Sequence, residues 1–214
     1  MLKAAHVLGW LTAADLRGEL MRTIADSLAR STVGPADVDL ACTLNKSHEL
    51  DEGLDRLQMS PTQAERPASA AILACLGSTE SHARVLRALT SSNDDDVHVA
   101  QVYLRHRPIA DANELRALTA GVARMTDAKA QARALDTLAG QGITDRESLE
   151  DLTRLFAQAG SGGVQLAIAG ILLRSDYQMI ASADLLQVLR QHRRKSSSSD
   201  DMVDILIRRV QSLL

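Results

Sequence analysis

The sequence predicts an all-α protein, a stack of about six helix-turn-helix units in one domain over residues 1–214, and three observations predict it. Apolar residues make up 45% of the chain but aromatics only 2%, so the core must be Leu, Ala, Ile and Val, a composition that favours helices over sheets. Apolar positions return at the i, i+3, i+4, i+7 spacing of an amphipathic helix along most of the chain. The chain also copies itself with a period in the low thirties, the length of two helices and two turns.

Residues 77–109 are the clearest unit. Val85, Leu86 and Leu89 fall on one stripe of a first helix; Val97, Ala100, Tyr103 and Leu104 fall on one stripe of a second. Between them lies SSNDDD, whose short polar side chains suit the free N–H groups and the positive dipole end that open the second helix. Two helices of this length cannot hide their apolar stripes on each other alone, so a neighbouring copy is expected to cover the rest.

Taken in order, the chain opens with MLKAAHVLGWLTAADLRG, which weakly resembles a secretion signal, although His6, Trp10 and the amphipathic continuation favour a first helix. Leu16, Leu20, Ile24 and Leu28 predict a helix over residues 13–30, ended by the Gly34-Pro35 break. Helices follow over 36–44, 48–57 and 63–76, the last rich in alanine and closed by Gly77 as a C-terminal cap. After the clear unit, Leu86, Leu89 and Thr90 recur as Leu115, Leu118 and Thr119, then as Leu149, Leu152 and Thr153, and loosely as Leu186 and Leu189. In the second helices, Ala100 and Leu104 are matched by Ala134 and Leu138, then by Ala167 and Ile171. A flexible Gly160-Ser161-Gly162-Gly163 turn separates one pair, and helices over 183–192 and 202–213, joined by RRKSSSSDD, end the chain.

Residues 77–105 resemble a HEAT repeat, in the bacterial form described with phycobilin-lyase-like repeats. The residues that carry the resemblance are Val85-Leu86-Arg87-Ala88-Leu89 in the first helix, Asp94 to Asp96 in the turn and Val97 to Leu104 in the second; His98 and Arg105 depart from the usual Arg and Gly. The match extends loosely to about residue 175, with 1–60 and 180–214 as atypical end units. The resemblance implies a right-handed α-solenoid whose second helices line a concave face, carrying no active site and binding a protein or peptide.

Chemistry is sparse. With 24 basic against 27 acidic residues and a net charge of -3, nothing pulls the chain toward a polyanion, and nucleic acid is disfavoured. The six histidines never fall three or four apart, so no helix face offers a pair of metal ligands, and no nucleophile elbow or phosphate loop is present. No cofactor and no catalytic residue is expected. HEAT-like DNA glycosylases and bilin lyases stand as the enzymatic alternative, and a positioning role within a longer polypeptide as another. Cys42 and Cys75 are expected to be free buried thiols, with a disulfide as the alternative. No stretch reaches the ~18 apolar residues of a membrane span, and a cytoplasmic location is expected. The candidate partner row runs along the second helices: Val99, Val102 and His106, then Arg133, Asp136 and Gly140, then Leu166, Ala169 and Leu173. Either a partner covers the apolar members of this row or neighbouring units do. The basic run Arg190, Arg193, Arg194 and Lys195 is the candidate contact for phosphate or an acidic partner, against a solvated helix end.

Overall fold

The computed structural model describes residues 18–19, 22–26, 29, 33–46, 66–180, 182–194 and 200–214, and every regular element among them is helical. Ten helices are described: α1 (Pro35–Leu44), α2 (Pro67–Cys75), α3 (Thr79–Ala88), α4 (Asp94–His106), α5 (Ala112–Ala123), α6 (Ala128–Ala139), α7 (Arg146–Gln158), α8 (Gly162–Arg174), α9 (Ser182–His192) and α10 (Met202–Gln211). A single 3-10 turn, Tyr177–Met179, lies between α8 and α9. Residues 18–19, 22–26 and 29 are helical, within the helix expected over 13–30. The opening segment with Trp10, the helix expected over 48–57 and Lys195 lie outside the described residues. No helix among the described residues is long and apolar enough to cross a membrane.

Local chemistry sets the helix ends. Ser78, Asn93, Asp111, Asp127, Asp145, Ser161 and Asp201 each accept a hydrogen bond on their side chain from a backbone N–H in the first turn that follows. Each such cap is worth about 1 kcal/mol. Within SSNDDD the cap is Asn93, and Ser91 ties the turn down by donating to Asp96. Gly77 ends α2 with φ 95, a left-handed conformation in which a side chain would be strained.

Packing sorts the helices into two rows. Helices α4, α6, α8 and α10 pack one on the next, as do α5, α7 and α9, and each hairpin partner packs on its mate. At the start, α1 packs on α2 and α4, and α2 on α3. The α6–α8 contact is the most extensive, and at Gly170 α8 lets the Met202 sulfur of α10 come close, 3.4 Å from where a β-carbon would stand. Between α3 and α5 the chain approaches closely where Thr90 meets Gly121: a β-carbon there would stand 2.9 Å from the threonine methyl. The buried apolar side chains form one continuous cluster from Ile24 to Val210.

The caps fix the register of the copies. Asn93, Asp127 and Ser161 recur at an interval of 34, and the first intrahelical bonds they accept come from Val97, Gln131 and Gln165. Buried Gln131 donates Nε2–H to the Val122 and Met125 carbonyls at 3.0 and 3.2 Å; buried Gln165 donates to the Phe156 and His192 carbonyls at 3.0 and 2.8 Å. Val122 and Phe156 are again 34 apart, so the same side chain bonds the equivalent carbonyl in the last turn of the preceding helix in both units.

This register corrects two expected alignments. His82, Leu115 and Leu149 make the equivalent bonds to Ser78, Asp111 and Asp145, so the copy of LRALT at 86–90 sits one helical turn beyond the copy at 115–119. Likewise Ala134 and Leu138 correspond to Ile168 and Leu172, both fully buried, rather than to Ala167 and Ile171. A slip of four residues turns a helix only about 40° further round, so the apolar stripe alone does not register the copies.

A third correction concerns the cysteines. Cys42 and Cys75 are not free thiols: they form a disulfide between α1 and α2, with Cα atoms 4.9 Å apart. Closing a segment of separation 33 restricts the unfolded chain by about 3–4 kcal/mol in the loop-entropy account. Beside it, fully buried Asn45 donates to the Cys75 carbonyl at 2.8 Å, and Arg107 donates to the Asn45 and Cys75 carbonyls at 2.9 and 3.3 Å. A guanidinium thus meets the negative ends of two helices.

Phe156, the single phenylalanine, is fully buried in α7. Phe156→Ala is expected to cost about 3–5 kcal/mol in urea unfolding, and Phe156→Leu under about 1.5 kcal/mol.

Candidate interaction face between α4 and α6

The second helices bring the expected row together only in part. Val99 and Val102 are each 6% exposed and Ala169 is 0% exposed, so the protein's own packing covers them; Leu166 and Leu173 are half-buried. His106 Nε2 lies 2.8 Å from an Asp39 carboxylate oxygen, and Val99 lines the same cleft as Pro35 and Ala36, which places α1 along the face that carries Val99, Val102 and His106. By the cap register, the residues of α8 equivalent to Arg133, Asp136 and Gly140 are Ala167, Gly170 and Arg174, not Leu166, Ala169 and Leu173.

Arg133 and Asp136 belong to a polar ladder that crosses from α6 to α4. Arg133 grips Asp94 through two hydrogen bonds of 2.7 and 3.1 Å, and Lys129 Nζ lies 2.8 Å from the same carboxylate. A further Arg133 N–H donates to Gln101 Oε1, and Gln101 donates to Asp136, both at 3.3 Å. The Arg133 guanidinium, with Lys129 beside it, holds the Asp94 carboxyl well below the usual carboxylate range. Asp94 was expected to cap α4; it sits in the first turn there and spends its charge across the helix pair.

Past this ladder the α4–α6 seam opens into a groove of about 280 Å³ lined by Gln101, Leu104, Arg105, Asp136, Gly140 and Gln141. Arg105 is exposed and has no ion-pair partner among the described residues. Gln141 Oε1 accepts from the Ile109 N–H at 2.9 Å, which ties the turn after α4 to the end of α6. Gly140 lines the groove at the position where α4 carries His106 and α8 carries Arg174.

Two members of the basic run, Arg193 and Arg194, bond to the fold. Arg193 pairs with the Asp204 carboxylate through both terminal nitrogens and lies 3.5 Å from Asp201. Arg194 donates from its side chain to the Ala159 carbonyl at 2.8 Å and from its backbone to Gln165 at 2.9 Å, while Arg190 is exposed.

One polar cluster escaped the sequence reading. His82 Nδ1 lies 2.8 Å from the Tyr103 hydroxyl, and its Nε2 lies 3.6 Å from Glu114. These residues tie α3, α4 and α5 together, and burial pushes the Tyr103 phenol up to about 12. The available signal was that His82 occupies the position of Leu115 and Leu149, which emerges only once the caps are aligned. Among the described residues no group of three His, Cys, Asp or Glu is placed to hold a metal ion. Compared with known proteins, the chain matches no family model, no curated protein and no solved structure.

The lowered Asp94 group makes stability depend on pH. Its folded value lies below its unfolded one, so its contribution is full above the unfolded value near 3.8 and is lost as pH falls toward the folded one. Asp94→Asn is expected to cost about 1–2 kcal/mol at pH 7 and to leave a shallower loss of stability below pH ~4, measured by urea unfolding across pH.

Proposed function

We propose that this chain is a HEAT-like α-solenoid that acts as a non-catalytic scaffold, holding a protein or peptide along the face of its second helices. The observation that carries the reading is the row α4, α6, α8 and α10, packed one on the next, with an open polar groove at the α4–α6 seam. The interval of 34 in caps and buried amides supports repeated units, and a row of copied helices offers an extended surface to an extended ligand. The groove offers Arg105, Asp136 and Gln141, a mix of donors and acceptors suited to peptide groups and to side chains of either charge. Pairing of Arg193 with Asp204 and of Arg194 with the Ala159 carbonyl favours a protein ligand over a polyanion. The disulfide weighs against the cytoplasmic location expected from the sequence, since reducing thiol pools keep such pairs open.

Selection of peptides from a random displayed library on the purified chain tests the reading. Enriched peptides are expected to bind in the micromolar range and to weaken at least about tenfold in the Arg105→Glu and Asp136→Lys variants, with Arg154→Ala on α7 as the unaffected control. Peptides insensitive to both groove variants, or no enrichment, would contradict it.

A further inference from the structure

Helix α1 covers the Val99, Val102 and His106 face of α4 and packs on α2 alongside it. Its buried side chains are Val38, Ala41 and Cys42, two of them small. Its polar ties include His106 to the mostly exposed Asp39, Asn45 to the Cys75 carbonyl, and Arg107 to the Asn45 carbonyl. At ten residues it is too short to be stably helical away from its neighbours. Besides the backbone, the disulfide joins α1 covalently to α2, and both sulfur-bearing residues are 0% exposed.

We propose that Cys42–Cys75 is a redox latch on α1. Oxidised, the bond keeps α1 over the Val99 and Val102 flank of α4; reduced, it releases α1 and uncovers that flank as an apolar surface. The reductant is a dithiol: one thiolate attacks a cysteine sulfur and breaks the S–S bond, the second thiol displaces the mixed disulfide, and the products are two protein thiols and the oxidised dithiol. Because neither cysteine is exposed, exchange waits for α1 to open, so the latch resists brief contact with reductant and yields to sustained reducing conditions. The latch is independent of any partner in the α4–α6 groove.

Amide hydrogen exchange of the full chain, followed by mass spectrometry, tests the latch. Three samples are compared: the oxidised protein, the same protein held in dithiothreitol, and a Cys42→Ala/Cys75→Ala variant, with thiols titrated in urea. The oxidised sample is expected to show no free thiol. In the reduced protein, amides of α1 and of residues 97–106 are expected to exchange at least about tenfold faster, with α6 to α10 unchanged. The double variant should reproduce that pattern; if it fails to fold, the reduced wild-type chain still decides. Two free thiols in the oxidised sample, unchanged exchange in α4 on full reduction, or uniform acceleration along the whole chain would each overturn the proposal.

Discussion

Short helices have a problem at their ends. Each leaves several N–H groups at its start and several carbonyls at its finish without intrahelical partners, and in a stack many of these ends are buried. The rest of this structure depends on how that constraint is met. Ser, Asn and Asp side chains serve the starts, and the buried amides of Gln131 and Gln165 serve the finishes of α5 and α7. Arginines add to this: Arg107 reaches the carbonyl ends beside α1 and α2, and Arg194 reaches the Ala159 carbonyl at the end of α7 that Gln165 also serves. A buried amide that bonds the preceding helix also fixes the angle and register of its own helix, so satisfying polar groups and positioning units are one event.

The same economy explains where charge is spent. Asp94, Lys129 and Arg133 lock α4 to α6 at one end of their seam, while Arg105 and Asp136 stand beside an open groove at the other. Ion pairs on such partly exposed ground contribute modestly to stability, and their main effect is to set the relative placement of two helices. That placement is what a binding face on the second helices requires.

Much of the fold was legible in the sequence, because helix formation here rests on local signals. The caps Asn93 and Asp201 and the breaks at Gly77 and Gly160 are short-range chemistry, and the structure places helix ends at them. Register was less legible, since LRALT repeats within an apolar stripe that tolerates a shift of one turn. Less still of the candidate face could be read. Whether Val99 and Val102 meet solvent depends on α1, which approaches from more than fifty residues earlier, and Gln101 acquires its meaning from Arg133 and Asp136 across the seam. The pairing of Cys42 with Cys75 likewise depends on how α1 settles on α2, which no spacing of two cysteines reveals.

The central claim is that Gln131 and Gln165 are equivalent internal clamps, each bonding the end of the helix before it. Side-chain amide exchange of these two glutamines by NMR tests it most directly. The account predicts that their Nε2 protons exchange slowly, both far more protected than those of exposed Gln158 or Gln187. Exchange of either at the rate of a solvated glutamine would contradict it.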